Sequence, residues 1–377
     1  MKRDDLREAA LLVLKQVSKS YGATAALHGL DFIVPQDRYV SLLGASGSGK
    51  TTLLRLLSQS GENGGQPGGR LAPQVGVARV PDPRLDRLTA LFKPKRHVPA
   101  TVELTEFAGH GGAKALLDVS GFRNADALLH VLRLFQDERV PHADGDVDPA
   151  RDLRRMEDEL ILADLVVAER RLERIQQDLK KGKSRELDEE ARVIERCRAT
   201  LEDGQPLRAL RLDPENTKRL RGFSFLSAKP LLVVLNLDES DVADPAGAIE
   251  RAELTEALSG AATETVPVCA KIELEIAELP PEDCAAFLED LGLADSGLAR
   301  VIRASYRLLG YISFFTVGED ECRAWSIPQE TSAQNAAGEI HSDIARGFIR
   351  AEVVSYEALT TRNGSYPACR EHGEVRL

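Results

Sequence analysis

Residues 44–51, Gly-Ala-Ser-Gly-Ser-Gly-Lys-Thr, have the full spacing of a phosphate-binding loop, G-x-x-x-x-G-K-[ST]. The apolar run Tyr39–Leu43 predicts a strand before it, and residues 51–58 predict an amphipathic helix after it. Glycines let backbone amides turn towards phosphate oxygens, and the helix N-terminus adds a positive dipole end. We expect Lys50 to reach the β- and γ-phosphates and the Thr51 hydroxyl to bind Mg²⁺. The predicted nucleotide-binding residues of this loop are Gly44, Ala45, Ser46, Gly47, Ser48, Gly49, Lys50, Thr51 and Thr52.

A second polar group, Asn236-Leu-Asp-Glu239, directly follows the apolar run of residues 230–235. A guanine-specific site would have N-K-x-D here, with the aspartate pairing with the N1–H and N2–H₂ groups of guanine. Asn-x-x-Glu, with leucine at the lysine position, weakens the selection of guanine and leaves room for adenine. We therefore expect Asn236 and Glu239 to lie at the nucleotide base.

The elements that must position these residues are short apolar runs that alternate with helical segments. This alternation over 377 residues predicts an α/β fold of the doubly wound P-loop type, with a mostly parallel sheet covered on both faces. A net charge of −11 argues against a protein coated in nucleic acid, although a local basic patch could still bind RNA. No apolar run approaches the roughly 20 residues of a membrane helix, and no signal peptide is read. Five cysteines without a CxxC pair fit a reduced, cytoplasmic location.

Residues 149–203 are highly charged and predict two long helices that form an antiparallel hairpin or short coiled coil inserted into the α/β domain. Gly182 is a helix stop, and Ser184 is a plausible start of the second helix. The tip is basic, and two interpretations stay open: a solvated turn, or a contact with a phosphate backbone. The basic residues of the tip are Lys180, Lys181, Lys183 and Arg185.

From about residue 71 to the end, the sequence resembles the YchF family, Obg-related P-loop ATPases that bind the ribosome. The resemblance rests on residues 75–88 (VGVARVPDPRLDRL), 159–165 (ELILADL), 236–239 (NLDE) and 341–353 (HSDIARGFIRAEV). It implies a preference for ATP over GTP, with Mg²⁺ as the metal. It also implies the ribosome as partner, contacted at the large subunit through the hairpin tip and a C-terminal TGS domain.

The resemblance implies four parts in the chain. Residues 1–148 and 204–303 would form the nucleotide-binding domain, interrupted by the hairpin of residues 149–203. Residues 304–377 would form a TGS-like β-grasp domain, which stops before the last strands usual in the family. The first part differs, because residues 11–59 resemble the start of an ABC transporter ATPase, and residues 1–38 are expected to be an atypical extension.

The resemblance also implies a set of magnesium and hydrolysis residues, several of which are altered here. The family's D-x-x-G motif aligns with Glu106-Phe-Ala-Gly109, so Glu106 is expected to hold Mg²⁺ through a water and the Gly109 amide to meet the γ-phosphate. The family carries a hydrophobic residue next, whereas this chain has His110, and two interpretations stay open: a neutral imidazole that orients the attacking water, or a surface histidine in a Gly-rich loop. The switch segment at residues 70–73 has no hydroxyl to offer Mg²⁺. The predicted catalytic residues are Lys50, Gly109 and His110. Because several switch residues are altered, we expect nucleotide binding rather than fast turnover.

Two further contacts with the base follow from these resemblances. Cys269-Ala270-Lys271 stands at the place of the family's S-A-K loop, where backbone amides and the lysine stem border the base. Tyr21 stands where ABC-type ATPases carry an aromatic residue that stacks on adenine.

Three functions remain open from the sequence. The first is a YchF-like ATPase that acts as a ribosome-associated switch. The second is an ABC-type ATPase subunit, although residues 258–262 (LSGAA) are the only match to its LSGGQ signature. The third is a non-hydrolysing nucleotide-binding or RNA-binding scaffold, favoured by the altered switch residues. The sequence does not indicate an oligomeric state.

Overall fold

The computed structural model describes residues 10–21, 24–35, 39–59, 74–106, 120–142, 144–182, 184–260 and 262–376. The chain forms two compact units, residues 1–38 and residues 39–377. Among the described residues, the helices include none that is both long and apolar enough to cross a membrane.

The described part of the first unit is a two-stranded antiparallel ladder. Strand β1, Ala10–Tyr21, pairs with β2, Thr24–Pro35. The pairing runs from Ala10 opposite Pro35 to Tyr21 opposite Thr24, with several register shifts between them. The aliphatic run at the start of β1 is typical of a strand, as the sequence predicts.

The second unit is built on a six-stranded sheet with the order β4-β6-β3-β7-β8-β9. Only β4 runs antiparallel to its neighbour; the other pairings are parallel, which confirms the predicted α/β class. The strands are β3 Tyr39–Leu43, β4 Gln74–Arg79, β6 Thr101–Glu106, β7 Ala127–Arg133, β8 Leu231–Asn236 and β9 Thr263–Val268. Strand β3 lies between β6 and β7: the chain first adds β4 and β6 on one side of β3 and then crosses to β7 on the other. Such a switch point opens a crevice at the carboxyl ends of the strands.

Both faces of this sheet are buried because successive strand residues point to opposite sides. In β7, Leu129 and Val131 join the apolar cluster on one face. Leu128 and Leu132 join the cluster on the other face. Strands β7 and β8 therefore have apolar residues at nearly every position, because both of their faces are packed in an apolar cluster.

The helices of the described residues occur between and after these strands. Those up to the end of β8 are α1 Lys50–Gln59, α2 Pro83–Phe92, α3 Ser120–Arg123, α4 Pro149–Lys181, α5 Arg185–Glu202 and α6 Pro214–Leu220. Those that follow are α7 Pro245–Arg251, α8 Ala270–Glu278, α9 Pro281–Asp290, α10 Gly297–Leu308, α11 Ala333–Ile340, α12 Ser342–Arg346, α13 Tyr356–Thr361 and α14 Tyr366–Glu371.

Helices α4 and α5 are the two long helices predicted from the charged segment. The Asp148 side chain accepts from the amide of Arg151 at the start of α4, with a proline in the first turn. The helix ends at Gly182, and the Ser184 hydroxyl accepts from the amide of Leu187 to start α5. Their inner faces share a third apolar cluster, to which Leu207 and Phe225 of the following segment also belong.

The last part of the chain adds two small sheets. Strands β10 Tyr311–Val317 and β11 Glu321–Pro328 form an antiparallel pair, and β11 also pairs in parallel with β5 Arg96–Val98. Strands β12 Val353–Val354 and β13 Val375–Arg376 form the second sheet. The division of the chain into nucleotide-binding, hairpin and β-grasp domains stays a prediction.

Candidate nucleotide site

The phosphate-binding loop leaves β3 and enters α1 at the carboxyl end of the sheet. Gly44 and Gly49 have φ angles of 142° and 101°, which favour glycine. A Cβ atom at Gly44 would lie 2.5 Å from the carbonyl oxygen of Val131, and one at Gly49 would lie 2.5 Å from Nδ2 of Asn236. The two glycines are thus required both by backbone conformation and by close packing.

Lys50, the predicted phosphate-binding lysine, folds back over the loop. Its ammonium donates to the carbonyl oxygens of Gly44 and Ala45, both at 2.9 Å. Burial lowers the pKa of Lys50, and the nearby carboxylate of Glu106 acts in the opposite direction. This partly desolvated ammonium lies over the loop, where a phosphate group would compete with the two carbonyls for it.

Thr51 and Glu106, the predicted metal residues, are brought together at the ends of neighbouring elements. The Thr51 hydroxyl donates to Oε1 of Glu106 at 2.9 Å. Glu106 is only 7% exposed, and its Oε2 has no hydrogen-bond partner among the described residues. A buried carboxylate oxygen without a partner, beside a hydroxyl, matches the hard oxygen ligands that Mg²⁺ prefers. These two residues therefore fit the ion.

Asn236 lies at the floor of the cavity, buried at the end of β8. Its Nδ2 donates to the carbonyl oxygen of Ser48 at 3.0 Å, and its Oδ1 accepts from the amide of Ala270 at 3.0 Å. The side chain therefore ties the phosphate-binding loop to the start of α8. This geometry gives Asn236 a bridging role between two loops of the site.

The other residues predicted at the base form the rim of the same cavity. Lys271 and Glu239 are paired with each other at a partly exposed position. Cys269 is buried at the N-terminal end of α8, and burial raises the pKa of its thiol. Together with Ala270 and Asn236, these residues line one cavity that also contains the phosphate-binding loop.

Three of the predicted site residues cannot be placed in this cavity. Gly109 and His110 lie outside the described residues, as do residues 70–73 of the switch segment. Tyr21 ends β1 in the first unit, and its side chain lies outside the described part of the structure. Their roles stay predictions.

The cavity also has a wall that the sequence did not reveal. It has a volume of about 1680 Å³, and residues 135–140 and part of α4 contribute to its lining, as does His130. His130 is buried within β7, and burial together with the charge of Lys50 lowers its pKa to about 3, so the imidazole is neutral. Its Nδ1 has no hydrogen-bond partner among the described residues. A histidine inside the apolar run ALLHVL is the signal that could have identified it.

A cluster of three potential metal ligands lies beside this wall. His142, Asp144 and Asp152 each place one ligand atom within 4.8 Å of the others. Both carboxylates already pair with arginines of α4, Asp144 with Arg155 at 2.8 Å and Asp152 with Arg151 at 3.0 Å. These arginines neutralise much of the charge that would attract a cation, so we describe the cluster as an ion-pair network.

Comparison with known proteins decides the family. The Bacillus subtilis protein "Ribosome-binding ATPase YchF" is 40% identical to this chain over 343 residues, which cover 89% of this chain and 93% of the relative. The chain belongs to the YchF family. The Escherichia coli O157:H7 YchF is 38% identical, and "Obg-like ATPase 1" of Oryza sativa subsp. indica is 32% identical, each covering 89% of this chain and 93% and 87% of the relative, respectively.

Structural similarity and family models agree with this. The Schizosaccharomyces pombe YchF GTPase structure superposes with a TM-score of 0.77 at 29% identity, covering 89% of this chain and 92% of that chain. Residues 311–377 match YchF-GTPase_C, described as "Protein of unknown function (DUF933)". Residues 27–72 match the ABC transporter model. Both predicted resemblances, to YchF and to an ABC-type start, are thus confirmed.

Proposed function

We propose that this protein is a YchF-type P-loop ATPase that binds and hydrolyses ATP in preference to GTP and acts as a ribosome-associated switch in the cytoplasm. The observation that carries the proposal is the grouping of Lys50, Thr51 and Glu106 at one end of the sheet. The bacterial relatives are named as ribosome-binding ATPases, which supports the same activity for this chain. The ABC-type alternative lacks this support beyond the short match at residues 27–72.

The chain's own residues would act on the phosphates in a defined way. Backbone amides of residues 44–51 cradle the phosphate oxygens, and Lys50 exchanges its loop carbonyls for the β- and γ-phosphates. Thr51 and Glu106 would hold Mg²⁺, which when bound neutralises phosphate charge. Gly109 and His110 remain the predicted partners of the γ-phosphate and of the attacking water.

The preference for ATP is proposed from the chemistry of the rim. A guanine-specific site has an aspartate that accepts from N1–H and N2–H₂, whereas this chain has the longer Glu239, which also pairs with Lys271 at the rim. The longer side chain supports a weaker selection of guanine. The names of the relatives do not decide this question, because one is named a GTPase. Asn236 uses one N–H of its Nδ2 and its Oδ1 to bond two backbone groups, so we assign it the role of shaping the pocket.

We assign stacking of the base to Phe135. It lines the cavity, and it follows directly on Leu134, whose amide donates to the carbonyl oxygen of Asn236 at 2.9 Å. The backbone next to Phe135 is therefore bonded to Asn236, the first residue of the segment predicted to lie at the base. Aromatic rings stack on any base, so Phe135 would increase the affinity for the nucleotide without selecting the base. The selection of the base is assigned to the rim residues Glu239 and Lys271.

We propose that the hairpin tip contacts the large ribosomal subunit, with the TGS-like part as a second contact. Lys181 pairs with Asp178 and Arg185 pairs with Glu189, and both cations are highly exposed. Such exposed pairs are weak, so phosphates can replace the acidic partners at little cost. Lys180 and Lys183 complete the predicted basic tip, although Lys183 lies outside the described residues.

Calorimetric titration with ATP and GTP, each with Mg²⁺, tests the nucleotide site. We expect tighter binding of ATP and loss of binding in Lys50→Ala. Tighter binding of GTP would contradict the rim assignment. Measurable ATP affinity with no turnover, with or without ribosomes, would favour the scaffold alternative.

Co-sedimentation with ribosomes tests the tip. We expect Lys180→Gln/Lys181→Gln to weaken binding and to lower its dependence on salt. The matched control is Arg251→Gln/Arg307→Gln, which removes two exposed positive charges elsewhere on the surface. Equal loss in both double variants would show a nonspecific charge effect and contradict the proposed contact.

A further inference from the structure

Arg133 is a buried cation at the end of β7, only 2% exposed. Its guanidinium donates to three main-chain carbonyl oxygens of the loop that follows. Nε donates to Phe135 at 3.1 Å, Nη1 to Val140 at 2.7 Å and Nη2 to Asp137 at 3.1 Å. Residues 135–140 therefore wrap around one side chain, which satisfies a buried charge that would otherwise be costly.

The same guanidinium lies behind the ring of Phe135. Its central carbon is 4.5 Å from the ring centroid, a cation–π contact. Phe135 thus has Arg133 on one side and the nucleotide cavity beside it. With the carbonyl of Phe135 also bound to Arg133, both its backbone and its ring are fixed by one residue.

The loop also packs against the phosphate-binding loop. A Cβ atom at Gly47 would lie 2.9 Å from Cγ1 of Val140 and 3.6 Å from Nη1 of Arg133. Residues 135–140 are therefore held between the phosphate end and the base end of the site. Three diverging bonds need the fork of arginine, since an ammonium offers only a point charge.

We propose that Arg133 is a positioning residue that fixes Phe135 as the stacking wall for the nucleotide base. The proposal rests on the proposed function, because it assumes that a nucleotide base lies against Phe135. Arg133 would act on the base through Phe135, whereas the ammonium of Lys50 is held by Gly44 and Ala45 and makes no bond to Arg133.

The test compares binding of Mg²⁺–ATP with binding of Mg²⁺ and inorganic triphosphate, which has no base. We expect Phe135→Ala to weaken ATP about tenfold, the usual size of one lost stacking contact. Arg133→Gln should weaken ATP by a similar factor and leave triphosphate affinity within about twofold. Arg346→Gln is the matched control, because Arg346 is an exposed arginine that pairs with Asp343 at 3.1 Å and does not line the cavity, and it should leave ATP affinity within about twofold.

A double variant tests whether Arg133 affects ATP binding through Phe135. Arg133→Gln/Phe135→Ala should bind ATP no more weakly than Phe135→Ala alone, because Arg133 acts through that ring. Arg133→Lys keeps the charge but not the fork and should give an intermediate affinity. Thermal unfolding shows which variants are folded, and if Arg133→Gln is not, Arg133→Lys carries the comparison.

Four outcomes would overturn the proposal. Equal losses for ATP and triphosphate in the Arg133 variants would mean a general structural role. Additive losses in the double variant would mean that Arg133 acts elsewhere. Normal ATP affinity in the Arg133 variants, with a loss in Phe135→Ala, would refute the role of Arg133 and leave the base pocket standing. Normal ATP affinity in Phe135→Ala would refute the stacking assignment and, with it, the role of Arg133.

Discussion

Two buried carboxylates, Glu106 at the end of β6 and Asp164 in the middle of α4, have opposite polar surroundings. Asp164 is 0% exposed and accepts from the amides of Leu226 and Ser227 at 2.9 and 2.7 Å. It also accepts from the Ser227 hydroxyl at 2.8 Å and lies 3.5 Å from Arg123. Glu106 accepts a hydrogen bond from the Thr51 hydroxyl at Oε1, and its Oε2 lacks a partner among the described residues.

The difference separates a structural acid from an acid prepared for a ligand. Asp164 ties the hairpin helix α4 to the segment before β8, with a partner for each oxygen. Glu106 faces a cavity at the end of a parallel strand, and its Oε2 has no partner in the part of the chain that the structure describes. A missing partner alone is not sufficient, because within the same described ranges Oε2 of Glu273 also lacks one, while its Oε1 accepts from the amide of Gly297. The cavity and the neighbouring Thr51 make the distinction.

The largest effect should come from replacing the two acids by amides. Asp164→Asn removes a buried charge beside Arg123 and turns one acceptor oxygen into an NH₂ group that faces the amide of Leu226 or of Ser227, so we expect a loss of about 3 to 5 kcal/mol in the free energy of unfolding. Glu106→Gln should change it by less than about 1 kcal/mol, since its free oxygen has no bond to lose. Urea unfolding of both variants measures this. Similar losses would remove the distinction between the two sites.

Asn236 extends the comparison, because it lines the cavity like Glu106 but has a hydrogen bond at both its amide nitrogen and its amide oxygen. Asn236→Ala leaves the carbonyl of Ser48 and the amide of Ala270 without their partner. We expect a loss of about 1 to 3 kcal/mol in unfolding free energy, together with weaker nucleotide binding. A variant that binds ATP normally and is equally stable would show that the bridge has no role.

His130, like Glu106, has a buried polar atom without a hydrogen-bond partner among the described residues, and its effect on stability can be measured as a function of pH. Its pKa falls from 6.5 in the unfolded chain to about 3 in the folded protein. Below pH 6.5 the unfolded chain takes up a proton that the folded protein does not, so stability is lost as pH falls. At pH 5.5 the loss from this one group is about 1.4 kcal/mol. His130→Asn should lose that part of the pH dependence, measured by urea unfolding at pH 7.5 and 5.5; an unchanged pH dependence would contradict a neutral buried imidazole.

The smallest effect is expected at the rim. Glu239 and Lys271 form an exposed pair, so Glu239→Gln should cost less than about 1 kcal/mol of unfolding free energy. Its ATP and GTP affinities, measured side by side, should show no gain for GTP. A clear gain for GTP would mean that the charge of Glu239 excludes guanine, contrary to the proposed basis of the preference.

Most residues of the candidate site could be selected from the sequence because they directly follow the ends of predicted strands. The phosphate-binding loop follows β3, Glu106 ends β6, and Asn236 ends β8, and parallel strands bring these ends to one edge. The two hairpin helices could also be predicted from the sequence, because Gly182 ends the first helix and the side chain of Ser184 caps the start of the second. The YchF resemblance supported the same arrangement.

Other features depend on contacts that no local pattern encodes. The wall at residues 135–140 is shaped by Arg133, whose three acceptors are main-chain carbonyls that any sequence would offer. The parallel pairing of β5 with β11 joins three-residue segments about 225 positions apart. Neither spacing nor periodicity reveals such contacts. His130 was overlooked because a buried histidine in a strand reads as an ordinary core residue.

The central claim is that Thr51 and Glu106 hold the metal of a nucleotide bound at Lys50. Titration of the protein and of Glu106→Gln with ATP, with and without Mg²⁺, tests it most directly. We predict that Mg²⁺ strengthens ATP binding in the unmodified protein and that most of this gain is lost in Glu106→Gln, with metal-free binding retained. An equal gain from Mg²⁺ in both proteins would contradict the account.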